Sequence, residues 1–124
     1  MPTAVKIVVG KTILRGELFD SACARAIIKS LPIEARPDEW GDEFYFEIPV
    51  DMPPDDTAVK KVKVGDIGYW PPGKALAIFF GPTPISTGSD PVPASAVNIV
   101  GKILDDAAAL KQEKGAGKIR IELI

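Results

Sequence analysis

One short segment of the sequence combines acidic and aromatic residues at a spacing that could do chemistry. Glu43, Tyr45 and Glu47 alternate with Phe44 and Phe46. If the segment is a β-strand, the three polar side chains share one face and the two phenylalanines point to the other. A carboxyl group beside a phenol is a candidate general acid or base when its strand face lines a groove. Glu43 and Tyr45 are therefore the first candidate site residues.

The carboxylates also have structural interpretations, which stay open beside the chemical one. Glu47 suits a solvated outer face and Asp42 suits a turn cap, whereas Asp66 follows Gly65 and can bind the backbone of its own turn. Carboxylates and carbonyl oxygens are the metal ligands available, which would favour Mg²⁺ or Ca²⁺, and no spaced set of ligands occurs. We therefore predict no metal site and no cofactor.

The composition excludes several classes of enzyme and binding protein. The 124 residues include no histidine and one cysteine, with 15 basic and 17 acidic residues. Hydrolytic triads and Cys-His pairs need an imidazole base, and one cysteine can form neither an internal disulfide nor an all-cysteine zinc site. The acidic pI of 5.1 and the lack of a basic stripe predict that the protein does not bind nucleic acid.

Aromatic residues provide a second candidate site. We expect Trp40, Tyr45, Tyr69 and Trp70 at strand ends or on the polar faces of strands. A cluster at these positions forms either a groove for a peptide or small ring, or a lid over a small core. The sequence leaves both interpretations open.

The segment that follows the last aromatic pair supplies further candidates. Of the adjacent Phe79 and Phe80, one must face the core and the other must face away from it. The loop after them is rich in glycine and hydroxyl groups, but it lacks the lysine and the helix of a phosphate-binding loop. Thr83 or Ser86 could instead offer a hydrogen bond to a ligand at the rim of a groove.

Period-two alternation of apolar residues predicts a mainly β protein with two short helices. The helices are expected over residues 21–30 and 105–114, with Asp20 and Asp105 as their N-caps. Seven or eight short strands with Gly and Pro turns are typical of a barrel or a sandwich. The length predicts a single domain over residues 1–124.

The sequence predicts a cytoplasmic location. Its start contains Lys6 within a short apolar stretch and no small-residue cleavage site, unlike a signal peptide. The longest uncharged apolar run is residues 75–80. A membrane-spanning helix needs about 20 residues, so no membrane association is predicted. The oligomeric state stays open.

Several motifs resemble those of the cyclophilins. Residues 16–32 resemble the opening strand and helix of that family, residues 77–80 resemble the strand that ends in a Phe-Phe pair, and residues 98–103 resemble a later Gly-Lys strand. Other motifs are more similar to an atypical prokaryotic cyclophilin-like family of largely unknown function; these are residues 40–43, 45–46, 65–73 and 80–84. This resemblance implies a closed eight-stranded β-barrel with two short helices.

The resemblance transfers few of the residues that catalyse prolyl isomerisation. The catalytic arginine of the cyclophilins lies in a strand that corresponds to residues 43–47, and no arginine occurs between Arg36 and Arg120. Their glutamine corresponds to Ile78, whereas their histidine and groove tryptophan have no counterpart, so only Phe80 matches a groove residue. Because that arginine holds the substrate and weakens amide resonance, efficient isomerisation is not expected.

The sequence therefore predicts a cyclophilin-like barrel that binds a peptide or a small ligand. The predicted ligand-binding residues are Glu43, Tyr45, Tyr69, Trp70, Phe80 and Thr83. One alternative is a small-molecule enzyme that uses Glu43 as acid or base, with Tyr45 or Tyr69 as hydrogen-bond donor. Two others are a weak peptidyl-prolyl isomerase and a subunit whose barrel edge pairs with a partner or with a second copy.

Overall fold

Nine β-strands and three short helical segments form the computed structural model, which describes residues 1–124. The strands are β1 (Thr3–Val9), β2 (Thr12–Leu18), β3 (Ile33–Ala35), β4 (Asp38–Glu39), β5 (Glu43–Glu47), β6 (Asp66–Trp70), β7 (Ala75–Phe79), β8 (Asn98–Ile103) and β9 (Ile119–Leu123). The α-helix α1 spans Ala22–Lys29, and two 3₁₀ helices span Pro71–Gly73 and Ala107–Glu113. The prediction of a mainly β fold is confirmed.

The strands form one curled sheet in the order β3-β9-β1-β2-β8-β6-β7-β5-β4, and every paired ladder is antiparallel. Its two terminal strands, β3 and β4, are consecutive in the chain and are separated by Arg36 and Pro37. Proline has no N–H group to donate to a ladder, and no ladder joins β3 to β4. The sheet is therefore a curled, barrel-like sheet of nine strands instead of a fully closed ring of eight.

Alternating apolar residues determine which face of this sheet encloses the core. In the β1–β2 hairpin, Val5, Ile7 and Val9 are fully buried while Lys6 pairs with Arg15 across the strands. Helix α1 covers one end of the core with Cys23 and Ile27. The register of this hairpin follows from the burial of one face.

The structure corrects the N-caps and the type of the second helix. Ser21, not Asp20, caps α1, because its hydroxyl accepts the Ala24 N–H at 3.2 Å. Asp20 instead pairs with the amino group of Met1 and with Arg25. The second helix is a 3₁₀ helix over Ala107–Glu113 that is capped by Asp106, since the Asp105 carboxylate is paired with Arg15.

The segment 59–64 is a run of valines and lysines that forms no strand beyond a single bridge between Val59 and Val97. Its lysines Lys60, Lys61 and Lys63 are exposed. It crosses the outer face of the sheet, where Val62 is buried. None of the helical segments has the length and hydrophobicity that crossing a membrane requires.

The outer face of strands β5, β7 and β6 carries a second, smaller apolar cluster. Its buried members are Val62, Ala77, Phe79 and Val97. Two loops cover this face: residues 50–64 form one, and residues 82–97 form the other. The latter, here called the covering loop, is tied to the former by paired backbone hydrogen bonds of 3.0 Å between Val59 and Val97.

Candidate functional site

A cavity of about 250 Å³ lies between this outer face and the covering loop. Strands contribute one wall, and the covering loop contributes the other. Its lining residues are Trp40, Glu43, Tyr45, Trp70, Pro93, Ala94 and Val97. We call it the aromatic cavity. The structure thus brings together three of the six predicted site residues, Glu43, Tyr45 and Trp70.

A tight hairpin turn positions Trp40 and Glu43 at one end of the aromatic cavity. The Trp40 N–H donates to the Glu43 carbonyl at 3.0 Å, and Gly41 and Asp42 form the two-residue connection. Gly41 has a φ of +62°, and a Cβ at this position would lie 2.9 Å from Thr83 Cα. Positive φ at the first turn position matches the right-handed twist of the flanking strands, which explains why glycine occurs here.

The Glu43 carboxyl group is buried without a partner. The residue is 8% exposed, and its Oε1 atom has no hydrogen-bond partner. Across the ladder it faces Phe79 of β7, so its surroundings are apolar. Loss of hydration on burial raises the pKa of Glu43 from 4.5 to about 7. The group therefore changes its charge near neutral pH in a chain that has no histidine.

The other predicted carboxylates serve the fold. Asp42 accepts a hydrogen bond from Lys114 Nζ at 2.9 Å, and Asp66 accepts from the Lys63 N–H at 2.8 Å as the sequence indicated. Glu47 is exposed at the end of β5. No group of three or more acidic or cysteine side chains is arranged to hold a metal ion.

Trp70 and Tyr45 form the aromatic walls of the cavity, and both pack against the smaller apolar cluster. Trp70 Nε1 donates to Ser95 Oγ at 2.6 Å, which fixes the indole to the covering loop. Gly68 leaves the space that Val97 occupies, since a Cβ there would lie 2.9 Å from Val97 Cγ2. The indole thus lines the cavity while its N–H group is already satisfied.

Three predicted site residues lie outside the aromatic cavity. Tyr69 is fully buried and Phe80 packs in the main core against Phe44, with ring centroids 4.7 Å apart. Because successive strand residues alternate, Phe79 faces the outer cluster and Phe80 faces the core. The groove beside Phe80 that the sequence predicted is therefore not where the cavity lies.

Thr83 contributes to the cavity indirectly. It is buried, and its hydroxyl donates to the Val92 carbonyl at 2.5 Å, while its N–H donates to Ser86 Oγ at 2.9 Å. Ser86 Oγ also accepts from the Val92 N–H. Both hydroxyls expected at a rim are thus used to close the covering loop immediately before Pro93, and Thr83 positions this loop.

The sequence interpretation missed the contribution of the covering loop. Pro93, Ala94 and Val97 line the cavity, and Ser95 orients Trp70. Trp40 was part of the aromatic set but not of the predicted ligand-binding residues. The loop over residues 82–93 is rich in proline, but no local pattern indicates which strand face such a loop covers.

Replacing Tyr69 with phenylalanine is expected to destabilise the protein by about 1–3 kcal/mol without changing the cavity. The Tyr69 hydroxyl donates to the Val50 carbonyl at 2.5 Å and accepts from the Met52 N–H at 3.2 Å. Its removal leaves the buried Val50 carbonyl and the part-buried Met52 N–H without this partner. Urea unfolding measures the loss, and unchanged tryptophan fluorescence of the folded variant is the control. Equal stability would contradict this structural role.

Fold and cavity together define a class of mainly β proteins in which a curled sheet encloses one core and carries a ligand-sized cavity on its outer face. The chain belongs to the cyclophilin-like family, whose model matches residues 3–122. The resemblance indicated by the motifs is thereby confirmed. No functionally curated protein matches the chain.

One solved structure supports the same assignment. The solution structure of a hypothetical protein from Archaeoglobus fulgidus is similar to this chain, with a TM-score of 0.81 and 34% sequence identity. The match covers 99% of this chain and 95% of the other. It confirms the fold, and the function has to be argued from the cavity.

Proposed function

We propose that the protein binds a small organic ligand in the aromatic cavity. The observation that carries this proposal is Glu43, a buried carboxyl group whose Oε1 has no partner, in the wall of a cavity lined by aromatic rings. Buried polar atoms are almost always hydrogen-bonded, so an orphaned one calls for a compensating group. A ligand that donates to this carboxyl group, or that places a positive charge beside it, supplies that compensation and covers the apolar walls.

The size of the cavity favours a small ligand over an extended peptide. Its volume of about 250 Å³ is slightly below the range of about 300–1,000 Å³ that is typical of pockets for drug-sized ligands. A compact molecule or a single side chain fits such a space. Glu43 is the one charged side chain in the lining, so we expect a ligand with one polar end beside it and an apolar body.

Efficient prolyl isomerisation is not part of the proposal. That reaction benefits from a fixed positive donor near the amide, and no basic or amide side chain lines the cavity. A protease-coupled assay with a proline peptide tests this point. The expectation would be contradicted if the protein isomerised the peptide as fast as a cyclophilin does and if Trp70→Leu abolished this activity.

A second candidate function is acid–base catalysis on the bound ligand. The Glu43 pKa of about 7 suits a general acid or base, whose proton transfer is most effective near the working pH. The Tyr45 side chain lies in the same cavity and offers a hydroxyl. NMR spectroscopy of the bound ligand over hours distinguishes the two functions. A ligand that binds but stays unchanged would favour binding alone. Chemical conversion of the ligand that is lost in Glu43→Gln and kept in Glu47→Gln would favour catalysis.

Intrinsic fluorescence gives a direct test of ligand binding. The chain has two tryptophans, and both line the cavity, so every change in emission reports on it. We expect members of a chemically mixed fragment library to change the emission and to bind Glu43→Gln more weakly. Glu47→Gln is the matched control, since it alters an exposed carboxylate on the same strand face. No binding by any fragment would contradict the proposal.

A further inference from the structure

We infer that the aromatic cavity selects a substituted ammonium cation, an inference that rests on the proposed ligand-binding function and names its ligand class. Three lining side chains, Trp40, Tyr45 and Trp70, are aromatic rings, and the charged one is Glu43. Aromatic rings attract an ammonium group that lies over the ring face within about 6 Å, most strongly when water is excluded. A cation in this cavity therefore meets aromatic side chains and a carboxyl group together.

No positively charged side chain lines the cavity to compete with the ligand for the carboxyl group. The covering loop contributes Pro93, Ala94 and Val97 to the cavity, and none of them is charged. Across the ladder, Glu43 pairs with Phe79. Lys111 and Lys114 lie nearby in the structure but pair with Asp42. An anion would be repelled by the carboxylate, so the charge pattern favours a cation.

Trp70 also favours a cation as ligand, because its indole N–H group already has a hydrogen-bond partner in the protein. Its Nε1 donates to Ser95 Oγ at 2.6 Å, so the indole has no free N–H to offer a neutral ligand. What remains for a ligand is the aromatic ring, which the covering loop holds in place. An aromatic ring attracts a positively charged ligand.

A matched pair of probes separates charge from shape. Choline and 3,3-dimethyl-1-butanol have nearly the same shape, but only choline is charged. We expect choline to bind the full-length protein about 10- to 30-fold more tightly than the neutral analogue, measured by tryptophan fluorescence and by calorimetry. Equal binding of the two probes would overturn the cation selectivity and leave the proposed function intact.

Three variants test whether choline binds in the aromatic cavity. Glu43→Gln and Trp70→Leu are expected to weaken choline binding about tenfold or more, whereas the control Glu47→Gln binds like the wild type. Binding of neutral fragments without binding of choline would overturn this inference alone. If neither the fragments nor choline binds, the proposed function fails together with it.

The pH dependence provides an independent readout, because the charge of choline does not change with pH. The pKa of Glu43 is about 7, so the carboxylate fraction rises strongly between pH 6 and pH 8. Choline affinity should therefore increase about tenfold over this interval. Tyr45 is the other titratable side chain that lines the cavity. An affinity that does not vary with pH would contradict a role of Glu43 as the counter-charge.

The cation can belong to a free molecule or to a methylated lysine side chain of a protein. A further binding experiment distinguishes these two sources. A peptide that contains trimethyllysine is compared with the single amino acid derivative and with choline. Tighter binding of the peptide assigns the cation to a protein partner, whereas equal or weaker binding assigns it to a free metabolite.

Discussion

Glu43→Gln is expected to raise the free energy of unfolding at pH 8 by up to about 3 kcal/mol more than it does at pH 4. This difference is the free energy that corresponds to a pKa raised from 4.5 to about 7. At pH 8 the wild-type protein holds an ionised carboxylate in an apolar site without a partner. Glutamine has nearly the same shape and carries no charge. The variant therefore avoids the desolvation cost of the ion.

The direction follows from proton binding in the folded and unfolded states. Folding raises the pKa of Glu43, so the folded protein binds more protons than the unfolded chain between pH 4.5 and about 7. The stabilising contribution of the protonated group is complete below pH 4.5 and is lost as the pH rises to about 7. Above that value the group opposes folding by a constant amount.

Urea unfolding of the wild type and the variant at several pH values measures this difference. Glu47→Gln serves as the control, because its carboxylate is exposed on the same strand face and should change little with pH. Subtracting the wild-type curve removes the contributions of other groups, including the ion-paired carboxylates Glu34 and Asp105, whose pKa values are lowered by their basic partners. Parallel curves for wild type and Glu43→Gln would show that the carboxyl group is hydrated.

Phe80→Ala is expected to cost about 3–5 kcal/mol of stability, because it removes a fully buried ring from the main core. The ring packs against Phe44 at a centroid distance of 4.7 Å, and a truncated side chain leaves a void between strands. Of all the substitutions considered, this one has the largest expected effect on folding.

A milder variant keeps this second prediction testable if the alanine variant does not fold. Phe80→Leu should lose less stability and, under conditions where it is folded, should bind cavity ligands like the wild type. Chemical unfolding and the fluorescence titration measure the two properties separately. Loss of ligand binding at wild-type stability would contradict the assignment of Phe80 to the core and return it to the site.

The alternation of apolar and polar residues in strand β5 determined which of its side chains face the core. Phe44 and Phe46 occupy the core as predicted, and Glu43 and Tyr45 share the opposite face. A strand has a period of two, so a sequence of five residues is enough to divide its side chains between two faces. For the same reason the β1–β2 hairpin was predictable from residues 5–18.

Alternation did not decide which member of an adjacent apolar pair faces the core. Phe79 and Phe80 are both fully buried, one in each apolar cluster, because both faces of β7 are covered. A doubly covered strand has no polar face to reveal its orientation. Phe80 therefore matched a motif in the sequence, whereas its ring packs in the core.

The sequence by itself determined the mainly β architecture, the family resemblance and the set of residues from which a site could be built. Only the tertiary structure decided that Glu43 lies in a buried site, because the loop residues that line the cavity with it, Pro93, Ala94 and Val97, lie about fifty positions further along the chain. Burial of a carboxyl group, and hence its pKa, depends on which distant segments exclude water from it. No pattern within a strand contains that information, so Glu43 became the centre of the candidate site only when the covering loop was in place.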